Sequence, residues 1–167
     1  LLYPDAADEA HIVLTERPAG ELRHSGEVSL PGGAMETTDA SAVAAALREA
    51  REEVGLDTET AGVEVLGMLS PLEISVSGFR LTPVLAVALR RPTFRPDPRE
   101  VATLLEARIE SFLSGAPIEQ VEEERQGRPI RYGAYLVGGY RVWGATAAIL
   151  GQLGAIIGPF TKAATAD

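Results

Sequence analysis

The strongest constraint on the fold lies in residues 40–54, where the apolar residues recur with the period of an α-helix. Apolar side chains spaced by three or four residues fall on one helix face; here they are Val43, Leu47, Ala50 and Val54. We expect Asp39 or Ser41 to cap the start of this helix and Gly55 to end it. A helix with one apolar face must pack against a sheet or another helix.

Three carboxylates lie beside this apolar face. Glu49 and Glu53 are one helical turn apart, so their side chains are expected to project together, with Glu52 next to them. Like charges at this spacing repel each other, and a cation bound between them removes the repulsion. Oxygen ligands of this kind suit a hard divalent ion such as Mg²⁺. The alternative is a solvated acidic face with Arg48 and Arg51 as counter-charges, which is common on surface helices.

The residues around the helix extend this pattern. The chain reads Gly33-x5-Asp39-x8-Arg48-Glu49-Ala50-x-Glu52-Glu53-x-Gly55-Leu56. It resembles the box of the Nudix hydrolase family, Gly-x5-Glu-x7-Arg-Glu-U-x-Glu-Glu-x-Gly-U, in which U is bulky or apolar. Asp39 stands where the family has its first Glu, and one extra residue separates it from Arg48. Ala50 is small for its position.

This resemblance implies a Nudix-like α/β/α sandwich with a mixed β-sheet and a loop-helix-loop, and metal-dependent hydrolysis of a nucleoside diphosphate derivative. It implies Mg²⁺ or Mn²⁺ as the cofactor. The expected catalytic residues are Arg48, Glu49 and Glu52, and the expected metal ligands are Glu49, Glu52 and Glu53. The general base stays open between Glu49, Glu52 and Glu73, which lies in a predicted downstream loop.

A second resemblance covers most of the chain. Segments before and after the helix are similar to coenzyme A pyrophosphatases: they are Val13-Leu-Thr-Glu-Arg17, His24-Ser-Gly-Glu-Val-Ser-Leu-Pro-Gly-Gly33, Gly78-Phe-x-x-Thr-Pro-Val84 and Trp143-Gly144. The similarity implies cleavage of coenzyme A or acyl-coenzyme A to 3′,5′-ADP and (acyl-)4′-phosphopantetheine. The alternatives are ADP-ribose or another nucleoside diphosphate derivative as substrate, and an inactive Nudix-fold module that only binds a ligand.

Five residues near the glycine turn are expected to bind the phosphates of the substrate. Backbone N–H groups of a glycine turn can approach a phosphate closely, and cationic side chains nearby add attraction. These residues are Arg17, Arg23, His24, Gly32 and Gly33. For Arg23 the alternative is a solvated surface arginine, and for His24 it is a structural hydrogen bond.

Composition narrows the classes of protein. The 167 residues contain no cysteine, which excludes disulfides, thiol catalysis and cysteine-type zinc sites. The net charge of −9 argues against duplex nucleic acid as a partner. No apolar run is long enough for a membrane span, and no signal peptide is recognisable. We expect one domain over 1–167 with a loose tail from about 158, its natural N-terminus upstream, a cytoplasmic location, a small-molecule diphosphate substrate and, from the family resemblance, a homodimer.

The remaining patterns predict alternating strands and short helices. Predicted strands cover 11–17, 63–71, 79–89, 100–105 and 130–137, a short helix covers 109–113, and a second long helix covers 144–157. Residues 72–78 and 119–128 are predicted to be loops, and 90–99 a proline-containing connector. Mixed strands with two main helices favour an α/β sandwich.

Overall fold

A computed structural model describes residues 1–19, 26–74, 78–125 and 127–164, and the chain divides into two compact units, Leu1–Arg108 and Ile109–Asp167. The described residues of the first unit form eight strands and two helices: β1 Leu2–Pro4, β2 Ala10–Glu16, β3 Val28–Ser29, α1 Ala42–Val54, α2 Thr58–Ala61, β4 Val63–Met68, β5 Leu72–Ile74, β6 Phe79–Leu81, β7 Val84–Ala88 and β8 Thr103–Arg108. No helix among the described residues is both long and apolar enough to cross a membrane.

The main sheet of the first unit is mixed. Its strands follow the order β3-β2-β1-β7-β4, and β8 also pairs with β2. Strand β1 runs parallel to β7, whereas β2 is antiparallel to β1, β3 and β8. A mixed sheet with α-helices confirms the predicted α/β class. Strands β5 and β6 form a separate two-stranded sheet.

The apolar face of α1 ends in the core of this unit. Val54 is fully buried and belongs to one cluster with Tyr3, Val13 and Leu56. Burying an aliphatic side chain of this size contributes roughly 1.5–3 kcal/mol. The cluster therefore holds the C-terminal turn of α1, and with it the glutamates that precede Val54, in a fixed position.

Both ends of α1 have caps. The hydroxyl oxygen of Ser41 accepts a hydrogen bond from the Ala44 N–H at 3.2 Å, so Ser41 rather than Asp39 is the N-cap. Gly55 ends the helix with a φ of 65°, a left-handed conformation that favours glycine, and its N–H donates to the Arg51 carbonyl at 3.0 Å. The predicted C-terminal end and the predicted caps Ser41 and Gly55 are thus confirmed, and the helix begins at Ala42, two residues later than predicted.

The connector between β7 and β8, residues 89–102, is irregular but joined to the end of α1. The Arg95 N–H donates to the Val54 carbonyl at 2.8 Å, and the Asp97 N–H donates to the Glu53 carbonyl at 2.9 Å. These carbonyls have no partner inside the helix, because they lie in its last turn. The connector therefore completes the hydrogen bonding of the helix end.

The second unit has a three-stranded antiparallel sheet and a long helix. Its elements are a 3₁₀ helix at Ile109–Phe112, β9 Glu119–Arg125, β10 Arg128–Val137, β11 Tyr140–Val142 and α3 Gly144–Ala164, and the strand order is β11-β10-β9. A Cβ atom at Gly154 would overlap the Phe112 carbonyl, so glycine allows α3 to approach the 3₁₀ helix closely. The predicted short helix at 109–113 is confirmed.

Two predicted loops contain strands among the described residues. Residues 119–128 contain β9, which pairs with β10 over its full length and buries Val121. The charged sequence does not show the alternation of a strand, because Val121 is the one buried residue among its described side chains. Residues 72–78 contain β5, whose three residues are too few for a periodic pattern.

Two further predictions of element bounds were wrong, and one short helix was not predicted. The run 79–89 forms two strands, β6 and β7, with Thr82 and Pro83 between them. Helix α2 was not predicted; its four residues begin after Asp57, whose carboxylate accepts from two backbone N–H groups. Helix α3 continues to Ala164, past the expected loose tail at 158, and includes Pro159, because Gly158 is still buried.

Candidate active site

The last two turns of α1 carry the predicted carboxylates in three different environments. The side chain of Glu53 is 6% exposed, whereas that of Glu52 is 53% exposed. Glu49 is mostly buried at the surface of the glycine turn. The apolar face of the helix explains the difference in exposure between these glutamates. Glu53 lies beside the fully buried Val54, whereas Glu52 points away from the core.

Arg48 connects these carboxylates to the preceding loop. Its guanidinium donates to both oxygens of Asp39, at 3.1 Å from Nε and 3.0 Å from Nη2. Its Nη1 donates to Glu49 at 2.9 Å and to Glu52 at 2.8 Å, and Nη2 donates to the Ala34 carbonyl at 3.1 Å. The hydrogen bond from Arg48 is the main reason that the pKa of Asp39 lies below its usual range. Asp39 thus holds the arginine that orients two of the carboxylates.

The glycine turn lies directly on the helix. The Gly32 N–H donates to Oε2 of Glu53 at 3.2 Å. A Cβ atom at Gly33 would overlap the carboxylate of Glu49, so only glycine lets that carboxylate lie against the turn. In this arrangement Gly32 supports a carboxylate, and the expected roles of Gly32 and Gly33 towards a substrate stay predictions.

Glu53 has an unusual protonation equilibrium. Burial raises its pKa to about 7, and the charges of Glu49 and Glu100 act in the same direction. The hydrogen bond from Gly32 and the charge of Arg17 oppose this shift. A carboxyl group whose pKa is raised close to neutral pH by burial and like charges is typical of functional sites.

The donor set fits a divalent cation. Glu53 is buried with one backbone donor and one arginine at 3.9 Å, and the other charges that act on it, those of Glu49 and Glu100, are negative. A bound cation would remove this repulsion, and carboxylate oxygens suit Mg²⁺ or Mn²⁺. Within the described ranges, no three acidic or histidine side chains converge on one point. The contacts of Glu49 and Glu52 with Arg48 account for this, since both carboxylates turn towards the guanidinium.

The remaining residues predicted for the site lie in different parts of the chain. Arg17 follows β2, is 46% exposed, and lies 3.9 Å from Glu53 through its Nη2. Arg23 and His24 fall outside the described residues. Glu73 is exposed on β5, opposite Arg80 of β6 in the strand register. In the described part of the chain, no hydrogen bond or ion pair joins Glu73 to α1.

The sequence analysis did not predict that the connector between β7 and β8 contributes to the surroundings of Glu53. Asp97 anchors it to the Glu53 carbonyl, and Glu100 adds to the negative field at the Glu53 carboxylate. No periodic pattern or known motif marked either residue, because their position depends on contacts with distant parts of the chain. The sequence predicts Asp39 either as a cap or as the first acidic residue of the box, and its bidentate contact with Arg48 fits the second interpretation.

Comparison with known proteins gives consistent matches. A model of the NUDIX domain matches residues 4–130. A protein named Nudix hydrolase NudL from Enterobacter sp. (strain 638) is 36% identical over 151 residues, which cover 90% of this chain and 77% of the relative. The protein of the same name from Pectobacterium atrosepticum is 41% identical over 144 residues, covering 85% of this chain and 72% of the relative.

Solved structures agree with these matches. A Nudix hydrolase from M. smegmatis, RenU, superposes with a TM-score of 0.53 and 25% identity over 66% of this chain and 67% of its own. An Ap4A hydrolase from C. elegans has the same TM-score of 0.53 at 14% identity, over 65% of this chain and 76% of its own, which shows a likeness of fold alone.

Proposed function

The chain belongs to the Nudix hydrolase family, and from this premise we propose that it hydrolyses the diphosphate of coenzyme A or acyl-coenzyme A. The observation that carries the proposal is the buried Glu53 carboxylate beneath the glycine turn, with Glu49 beside it. Glu49 and Glu53, assisted by Glu52, would hold Mg²⁺ or Mn²⁺. When bound, the cation neutralises charge on the diphosphate and lowers the pKa of a bound water.

The reaction is a displacement at phosphorus. The oxygen of water forms a bond to one phosphorus, the bond from that phosphorus to the bridging oxygen breaks, and the other phosphate leaves with the bridging oxygen. Both reacting groups carry negative charge, so positioning and charge neutralisation dominate the rate. Arg48 keeps Glu49 and Glu52 oriented through its hydrogen bonds. The proton of the water passes to Glu49, Glu52 or Glu73, three candidates between which the choice stays open.

Arg17 supports a phosphate-binding role next to the carboxylates. Its guanidinium is half exposed and lies near Glu53, so it has donors available for a phosphate at the same place. The choice of coenzyme A rests on the similarity of residues 13–33 to coenzyme A pyrophosphatases. Arg23 and His24 belong to that segment and are proposed to contact the 3′-phosphate.

A substrate panel with product identification tests the proposal. We expect coenzyme A to give 3′,5′-ADP and 4′-phosphopantetheine, with a higher kcat/KM than dephospho-coenzyme A, because only coenzyme A carries the 3′-phosphate. Equal kcat/KM values for the two would remove the 3′-phosphate role and leave the hydrolase assignment intact. A preference for ADP-ribose over both would replace coenzyme A as the substrate, and no hydrolysis of any nucleoside diphosphate derivative would favour a binding module.

A further inference from the structure

The loop between the glycine turn and α1 presents one large apolar side chain to solvent. Met35 is 56% exposed, and the three residues that follow it are exposed and polar. Gly33, two residues earlier, lies so close to the Glu49 carboxylate that a Cβ atom at Gly33 would overlap it. Met35 therefore follows directly on the turn where the diphosphate is proposed to bind, among groups that are otherwise polar or charged.

Hydrogen bonds fix the backbone on both sides of Met35. On one side, the Ala34 carbonyl accepts from Nη2 of Arg48 at 3.1 Å. On the other side, the Glu36 N–H donates to the Asp39 carboxylate at 2.8 Å, and the Asp39 N–H donates to the Glu36 carbonyl at 3.1 Å. Because Arg48 also donates to Asp39 at 3.0 Å, one guanidinium anchors both ends of this short loop. The backbone of Met35 is thus held in place, while its side chain is free to adapt to a ligand.

The chemistry of methionine suits an apolar part of the substrate. A thioether carries no charge and no hydrogen-bond donor, so it adds little to the binding of a phosphate, but it packs well on apolar groups. In coenzyme A, the diphosphate is followed on the pantetheine side by a methylene and a carbon with two methyl groups. In ADP-ribose, a ribose with polar hydroxyl groups lies on each side of the diphosphate. The two substrates therefore differ in apolar surface directly next to the reacting group.

We propose that Met35 contacts the dimethyl group of the pantetheine arm and thereby favours coenzyme A over substrates with a ribose at that position. The inference rests on the proposed function, since it takes the diphosphate to bind at Glu49 and the glycine turn. Removing the two methyl groups and the Met35 side chain from water stabilises the bound substrate. A polar ribose at the same place gains nothing comparable, so Met35 determines specificity and takes no part in the bond-breaking step.

Steady-state kinetics of the full chain with two substrates tests this role. The ratio of kcat/KM for coenzyme A to kcat/KM for ADP-ribose is measured in the wild type and in Met35→Gln, Met35→Leu and Met68→Gln. Met68 is the matched control, because it is a methionine on β4 that is 60% exposed. We expect Met35→Gln to lower the ratio about fivefold or more, mainly through the KM for coenzyme A. Met35→Leu keeps an apolar side chain and should restore most of the ratio, and Met68→Gln should leave it within about twofold.

Binding of the two products shows which end of the substrate Met35 contacts. In calorimetric titrations, Met35→Gln should weaken the binding of 4′-phosphopantetheine about fivefold and leave the binding of 3′,5′-ADP within about twofold. Weaker binding of 3′,5′-ADP alone would place Met35 at the nucleotide end and overturn the inference.

The kinetic outcomes separate this inference from the proposed function. An unchanged ratio in Met35→Gln, whether through equal losses with both substrates or through no loss, would overturn the inference and leave the proposed function standing. A wild type that hydrolyses neither substrate, or that prefers ADP-ribose, would overturn the proposed function and the inference with it. Melting temperatures verify folding, since the Met35 side chain is exposed and its replacement should not alter them.

Discussion

The C-terminal half of α1 and the strand β9 are both rich in glutamate, but their surroundings differ. In β9, Glu122 is 73% exposed and lies 3.4 Å from Arg131 on the neighbouring strand, and Glu119 forms a bidentate contact with Arg141. Exposed pairs of this kind contribute about 0–1 kcal/mol each. At the end of α1, Glu53 is buried, and two of its charged neighbours are themselves acidic.

The difference shows which property of a glutamate indicates chemistry. In β9, Glu119 and Glu122 are paired with arginines, and the hydrogen bond from Arg141 favours the ionised form of Glu119. At the end of α1 the ionised state of Glu53 is disfavoured by burial and by like charges, and a bound cation would offset both effects. The number of glutamates in a segment is therefore a weaker signal than the burial of one of them. The predictions below test whether this contrast holds.

The largest effect is expected for Glu53→Gln compared with Glu122→Gln. The first change removes a proposed ligand charge and keeps the shape of the side chain, so we expect turnover to fall about 100-fold or more. The second removes an exposed charge from β9, and turnover should stay within about twofold. Steady-state rates at limiting Mg²⁺ provide the measurement. Near-wild-type turnover in Glu53→Gln would show that the buried carboxylate has no part in the reaction.

An intermediate effect is expected for Gly33→Ala compared with Gly127→Ala. The added methyl group at Gly33 would overlap the Glu49 carboxylate, so we expect activity to fall about 10-fold or more with little change in melting temperature. Gly127 has a φ of 72° in the turn between β9 and β10, and alanine there should cost about 1–2 kcal/mol of stability. The folded fraction of the Gly127→Ala variant should keep its catalytic activity. Equal losses of activity in both variants would remove the special role of Gly33.

The smallest effect is expected in the pH dependence of stability without metal. The pKa of Glu53 is raised from 4.5 to about 7, so its stabilising contribution is present below about pH 4.5 and is lost as pH rises through about 7. Glu119 behaves in the opposite way, since the hydrogen bond from Arg141 lowers its pKa, and its contribution is lost as pH falls through the lowered value. Melting temperatures measured across pH in the presence of a chelator would report both contributions.

For this pH series, Glu53→Gln should flatten the decline in melting temperature between about pH 5 and 8 by about 5 °C. Glu119→Gln should leave that range unchanged and alter only the acid side. Parallel curves for the wild type and Glu53→Gln would mean that burial does not perturb this carboxylate in solution.

Local patterns explain what the sequence predicted correctly. Helix α1 was predictable because its apolar period, Ser41 and Gly55 all agree on the same bounds. The resemblance to the Nudix box also indicates the carboxylates and Arg48. Strand β9 was missed because Val121 is the one buried residue among its described side chains, and the strand is otherwise held by pairing with β10.

The site itself could be predicted only in part. Which glutamate is buried depends on Val54 in the core, and the position of Glu100 depends on hydrogen bonds to Glu53 and Glu16, which are far away in the sequence. A single sequence contains no local signal for contacts of that kind. The single-domain organisation, the homodimer and the cytoplasmic location stay predictions.

The anchored connector has a consequence for how this chain can vary. Irregular surface segments normally tolerate insertions and deletions. Here Asp97 and Ala102 must reach the Glu53 and Glu16 carbonyls, and Arg95 packs so closely on Gly55 that a Cβ there would lie 2.8 Å from its Cβ. One residue added between these points would break a hydrogen bond at one end or the other. The segment from Arg95 to Ala102 is therefore irregular in conformation but fixed in length.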